Sequence, residues 1–184
     1  MNHFNNDLAY SESCYSNLPM SCIYRHFFPD YLRDTQVTDM KLQKDGVDTI
    51  INRDGWDVWI DEKFRRNFWP DILIEMVSND STGTKGWACK SNYFADFLLY
   101  IFTGSPTNCN NLHAHLIPVA TLQKAVKELG DKWAREYPTK HAFNTGYTTH
   151  SVPIPTETFY EAVPGCRFLN YKKFMDNETV WRAR

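Results

Sequence analysis

Asp48, Asp61 and Lys63 are the residues of this chain whose types and spacing suit metal-dependent chemistry, and all three lie in the stretch 46–63, GVDTIINRDGWDVWIDEK. At its centre stands Asp54-Gly55, a dipeptide suited to a two-residue hairpin turn with positive φ, between β-branched and aromatic flanks. With those two as the loop, Arg53 faces Trp56, Asn52 faces Asp57, Ile50 faces Trp59, Asp48 faces Asp61 and Lys63 faces Gly46. Side chains alternate along a strand and opposed residues share a face, so Asp48, Asp61 and Lys63 come to one side. Val47, Ile51, Val58 and Ile60 fill the other. Opposed Cβ atoms lie roughly 4.5–5.5 Å apart. Two carboxylates that close repel unless a proton or a cation sits between them, and an oxygen-preferring divalent ion is the usual answer. The stretch therefore predicts a metal site, against the simpler expectation of a charged strand that keeps a sheet edge soluble.

The elements that must position this hairpin read as follows. Residues 1–20 are polar and predict an irregular arm or a weak first helix. The segment SCIYRHFFPDYLRD carries apolar residues at helical intervals with Pro29 as a break, and predicts a short aromatic helical region linked to the hairpin by 34–44. Beyond the hairpin, DILIEMVS predicts a third strand with Ile72, Ile74 and Met76 on one face and Leu73, Glu75 and Val77 on the other. FADFLLYIF, apolar on both faces, predicts a buried strand, and NLHAHLIP another. VATLQKAVKELG predicts a helix with a stripe of Leu122, Ala125, Val126 and Leu129, ending at Gly130. A long loop with a helical start (DKWAREYPTKHAFNTG), an extended segment (GYTTHSVPIP) and a short helix capped by Thr156 (TETFYEAVPG) complete the order. A hairpin followed by strands alternating with helices predicts an α/β chain with a mixed sheet flanked by helices.

At 184 residues with 42% hydrophobic and 23% charged residues, the chain suits one domain with a real core. A net charge of -2 gives no global attraction for nucleic acid, so any such binding must come from local patches. Five scattered cysteines without a CxxC pair suggest neither a disulfide framework nor a structural zinc site, and reduced, cytosolic thiols are expected. There is no signal-peptide pattern and no apolar run long enough to span a bilayer, so neither export nor a membrane partner is expected. Serine-hydrolase, phosphate-loop and zinc-protease motifs are absent.

Asp48, followed after twelve residues by Asp61-Glu62-Lys63, resembles the PD-(D/E)xK phosphodiesterase superfamily, which includes restriction endonucleases, Holliday-junction resolvases and recombination exonucleases. The resemblance implies a restriction-endonuclease-like mixed β-sheet with a central antiparallel hairpin. It implies a nuclease that hydrolyses DNA phosphodiesters, with Asp48 and Asp61 as ligands of Mg²⁺ or Mn²⁺, the Glu62 backbone carbonyl as a third ligand, and Lys63 as the catalytic lysine. The family's proline before the first aspartate is replaced by Val47. Some members add an acidic residue from the preceding helix near the metal, and here Asp34, Asp39 and Gln43 are candidates for that position, Gln43 being nearest the hairpin. Many such enzymes act as dimers, so a homodimer is one expected partner arrangement besides DNA. The alternative on the same scaffold is a non-catalytic binding or inhibitor protein.

Around the motif, Arg65, Arg66, Lys85 and Lys90 are candidate DNA contacts, and Trp56, Trp59, Trp69 and Trp87 could stack bases, although packing is the commoner use of tryptophan. Lys172, Lys173, Arg182 and Arg184 could extend a DNA surface, with a solvated terminus as the plainer expectation. His113 and His115 with Cys109 lack a recognisable zinc spacing and are expected to be ordinary strand residues.

Overall fold

A computed structural model describes residues 4–105 and 112–173 of the chain. The helices are α1 (Phe4–Asn17), α2 (Met20–Phe27), α3 (Met40–Lys44), α4 (Val119–Glu136) and α5 (Thr156–Ala162). The strands are β1 (Tyr31–Gln36), β2 (Thr49–Arg53), β3 (Trp56–Arg65), β4 (Asp71–Asn79), β5 (Thr84–Lys85), β6 (Phe97–Phe102), β7 (His113–Pro118), β8 (Lys140–Asn144), β9 (Tyr147–Pro155) and β10 (Arg167–Asn170). They form a six-stranded mixed sheet in the order β1-β2-β3-β6-β7-β10 and a four-stranded sheet in the order β5-β4-β9-β8. Among these strands only β3 and β6 run parallel, and every other pairing is antiparallel. No helix among the described residues is long and apolar enough to cross a membrane.

The expected register of the hairpin appears from Arg53↔Trp56 to Thr49↔Ile60. Only the second turn residue needs the left-handed region: Gly55 has φ +86°, while Asp54 does not. Beyond Thr49 the ladder changes. The Asp48 N–H donates to the Ile60 carbonyl at 2.9 Å, so Asp48 enters beside Ile60 rather than as a regular partner of Asp61.

β6 separates two cores, because its neighbours cover both faces. Leu98, Tyr100 and Phe102 face a core shared with β4, β9, α4 and α5, which holds Ile72, Ile74, Ile154 and Phe159. Leu99 and Ile101 face the second core, where Ile23, Tyr24 and Phe27 of α2 meet Ile51, Val58 and Ile60 of the hairpin. The parallel pairing Asp61↔Leu98 and Lys63↔Tyr100 puts the aspartate and the lysine on the first of these faces, toward the second sheet, and alternation leaves Glu62 on the face of α2.

Several expectations are corrected. Of the two alternatives for the N-terminal stretch, the helix is the one that forms, over Phe4–Asn17. After Pro29 the chain makes the edge strand β1, because pairing with β2 supplies its hydrogen bonds, and no helix continues there. β4 joins β9 in the second sheet instead of becoming a third strand of the first. α4 runs through Gly130 to Glu136, since Gly130 and Trp133 are both buried on its inner face. The segment expected to be a long loop supplies the end of α4 and then β8. Thr156 is the first residue of α5, after a Pro155 cap with no side-chain bond.

Candidate functional site

The site lies where β2 stops and β3 runs on. β2 has five residues and β3 ten, so residues 61–65 of β3 have β6 on one side and no strand of the hairpin on the other. Asp48 stands at the end of β2 in that gap. Its Oδ2 accepts the Glu62 backbone N–H at 2.9 Å. Asp61, 1% exposed, is held from two directions: the Lys63 ammonium donates to Oδ1 and the Tyr93 hydroxyl to Oδ2. Lys63 Nζ also lies 3.4 Å from the Glu62 carbonyl oxygen.

Burial above all, with the Asp48 charge adding to it, raises the Asp61 carboxyl to about 7 against the pull of Lys63. Burial acts to lower Lys63, but Asp61 and Asp48 outweigh it and hold the lysine above its ordinary value. Glu62, on the other face, is pushed up to about 8 by burial and by the charges of Asp48 and Asp61, while its bond from the Tyr24 hydroxyl opposes the shift. The Glu62 side chain, partly exposed, takes the hydroxyl of Tyr24, which is 1% exposed.

One acidic residue was missed. Glu75 of β4 reaches the same region from the second sheet, where Lys63 pulls its carboxyl down while burial, the larger effect, raises it. The alternation of DILIEMVS put Glu75 opposite the apolar face, but which sheet β4 would join was not written in that pattern. Asp48, Asp61 and Glu75 thus share one ammonium, and the site is short of positive charge.

Gln43 lines the same cavity, its amide nitrogen bound to the Val37 carbonyl at 2.7 Å. The other two accessory candidates are engaged elsewhere: Asp39 caps α3 through the N–H groups of Lys41 and Leu42, and Asp34 accepts the hydroxyls of Tyr15 and Tyr31. Arg65 and Arg66 also line the cavity, Arg65 paired with Asp71 at 2.5 Å and Arg66 4.3 Å over the Tyr10 ring. Lys85 and Lys90 do not join them. They border a separate shallow recess, and Lys90 binds the Lys44 carbonyl at 3.1 Å. Trp69 lines the main cavity and is half exposed, Trp56 is half exposed at the hairpin tip, and Trp87 is buried. His115 is buried against Tyr160, and His113 stacks on Phe168. Cys109, Arg182 and Arg184 lie outside the described residues.

No cluster of three or more His, Cys, Asp or Glu side chains able to hold a metal occurs among the described residues. A magnesium-type site needs less, since that ion commonly takes one or two carboxylates and keeps its remaining positions for water and phosphate. Asp48, Asp61 and the Glu62 carbonyl make such an oxygen set. The Lys63 ammonium, in contact with the Asp61 carboxylate and near the Glu62 carbonyl, marks where this set already receives a cation. The residues present therefore fit a divalent ion, provided that Lys63 gives way to it. Comparison of the chain with protein-family models, with curated proteins and with solved structures finds no match to any of them.

Proposed function

We propose that this chain is a Mg²⁺- or Mn²⁺-dependent nuclease of restriction-endonuclease-like fold that hydrolyses DNA phosphodiesters. The observation that carries the reading is the Lys63 ammonium bonded to Asp61 and 3.4 Å from the Glu62 carbonyl, with Asp48 anchored to the next peptide, beside a cavity of about 1390 Å³. Asp48, Asp61 and the Glu62 carbonyl would hold the ion. When bound, it lowers the pKa of a water and offsets charge gathering on the phosphate. Lys63, displaced from Asp61, would turn to the cavity and hold a phosphate oxygen or the attacking water. The Tyr93 hydroxyl keeps the Asp61 carboxylate oriented throughout. Attack of the water oxygen on phosphorus forms one P–O bond as the bond to the leaving oxygen breaks.

A second reading has its own support. With Lys63 and Tyr93 each on an oxygen of Asp61, the carboxylate is satisfied within the chain, as suits a non-catalytic binding protein on this scaffold. Incubation with linear, circular, single-stranded and branched DNA in Mg²⁺ or Mn²⁺ separates the two. Cutting by the wild type and its loss in Asp61→Ala and Lys63→Ala support the nuclease; wild-type protein that cuts none of these substrates leaves the binding reading.

A further inference from the structure

Glu75 is fixed in the cavity wall by three local devices. β4 and β9 pair regularly up to Glu75↔Ser151, and the next pair is Val77↔His150, so Met76 is an extra residue, a β-bulge. A bulge exchanges the faces of the residues beyond it. In an unbroken strand Val77 would stand beside Glu75 on the cavity side; here Ser78 does, and Glu75, Ser78, Thr149 and Ser151 all line the cavity. Gly86 is the second device. Its N–H donates to the Met76 carbonyl at 2.9 Å, and a Cβ on it would stand 2.0 Å from the Glu75 carbonyl oxygen and 2.9 Å from Glu75 Cγ, so only glycine lets the chain pass this close. The third is the Trp87 N–H, which donates to Glu75 Oε1 at 3.4 Å.

No cation completes this arrangement: among the described residues Glu75 makes no ion pair. The positive charge that acts on its carboxyl most strongly is Lys63, ahead of Lys90, yet the Lys63 ammonium is bonded to Asp61. The Lys63 side chain is 35% exposed and that of Asp61 2%, so the lysine is the member of the pair able to leave. Its flexible four-carbon stem lets the ammonium turn while the backbone stays in place. Charge favours a stop inside the cavity over open solvent. Asp48, Asp61 and Glu75 set three carboxylates against one ammonium, and a divalent ion balances them only while the ammonium stays among them. Glu75 is not itself a third side-chain ligand, since no three acidic groups among the described residues can hold one ion.

We propose that Glu75 is the positioning residue of Lys63: it receives the ammonium that a divalent ion displaces from Asp61 and keeps it in the cavity, within reach of a phosphate. The assignment rests on the metal site of the nuclease reading, and its tests read Mn²⁺ binding, which does not depend on cleavage. Calorimetric titration of the wild type, Glu75→Gln, Lys63→Met and the double variant with Mn²⁺ isolates the coupling between the two side chains. Glutamine keeps the shape of the side chain and an oxygen for the Trp87 N–H. With Lys63 present, Glu75→Gln should weaken Mn²⁺ binding about tenfold, as loss of a partner outside the ligand set commonly does. In Lys63→Met the same change should cost about threefold at most, the share that belongs to a nearby negative charge. A crystal structure of the wild type with Mn²⁺ reads the same point without any variant: Lys63 Nζ should stand about 3 Å from a Glu75 carboxylate oxygen. Equal losses in the two backgrounds would make Glu75 a ligand or a bare charge, and no loss a packing residue. Lys63 still on Asp61 beside the ion, or turned to open solvent, leaves nothing for Glu75 to hold. Each of these outcomes overturns the assignment. The two readings fail separately: Mn²⁺ that binds the wild type without regard to Glu75 removes this role and leaves the metal site, and coupled binding without cutting of any DNA removes the nuclease and keeps the role. Wild-type protein that binds no Mn²⁺ removes both.

Discussion

Tyr93 donates its hydroxyl hydrogen to Oδ2 of Asp61, the oxygen not taken by Lys63. The tyrosine belongs to the segment before β6, and nothing in its local sequence links it to the hairpin. Because a ligand's hydrogen-bond partner fixes its orientation and basicity, Tyr93→Phe should weaken Mn²⁺ binding about ten- to a hundredfold while the fold survives. Calorimetric titration beside a far-ultraviolet circular dichroism spectrum checks this, and an unchanged affinity would leave Tyr93 a packing residue.

Gly46 makes room for that tyrosine. Its φ is +86°, and a Cβ added to it would lie 2.2 Å from Cε2 of the Tyr93 ring, a clash. Gly46→Ala combines a left-handed backbone with overpacking, so it should cost about 2–4 kcal/mol in urea unfolding. Gly55 has the same φ but open space around it, and Gly55→Ala should cost less, about 1 kcal/mol.

Lys63 should act on binding and on turnover in opposite directions. Its ammonium contacts oxygens that a divalent ion would use, so Lys63→Met should tighten Mn²⁺ binding while slowing DNA cleavage about a hundredfold or more. Asp48→Asn should lose both. Titration and a cleavage time course on the same samples distinguish these outcomes from general unfolding.

His115 should make stability pH-dependent. Burial, helped by nearby His113, lowers the imidazole from 6.5 to about 4; Nδ1 shares a hydrogen bond with Tyr160, and Nε2 is buried without a partner. The unfolded chain therefore binds the extra proton first, and the stability held by neutral His115 is present above about pH 6.5 and lost as pH falls toward 4. Between pH 7.5 and 5 this amounts to about 2 kcal/mol. Urea unfolding at the two pH values, compared with His115→Phe, isolates the effect: the variant should show the smaller difference.

The hairpin was legible because its determinants are local. Asp54-Gly55 sets the turn, and period-two alternation then assigns Asp61 and Lys63 to one face and Val58 and Ile60 to the other, as the register from Arg53↔Trp56 to Thr49↔Ile60 bears out. The same locality made β6 readable, since a run apolar on both faces has to be covered on both. It also explains the errors: Ile23 to Leu32 has helical spacing throughout, yet Tyr31 and Leu32 became part of an edge strand once β2 offered hydrogen bonds.

By itself, then, the sequence determined how the hairpin pairs from Arg53↔Trp56 to Thr49↔Ile60 and which face of it Asp61 and Lys63 share, through turn preference and alternation over a few residues. Tertiary structure decided what surrounds them. Glu75 comes from a strand whose sheet no local pattern specifies, Tyr93 reaches Asp61 across thirty-two positions of sequence, and Glu62 finds Tyr24 because α2 packs under β3. The cavity wall is built from α1, β4, β8 and β9, and such long-range contacts depend on how whole faces pack together, which periodicity along one segment does not encode.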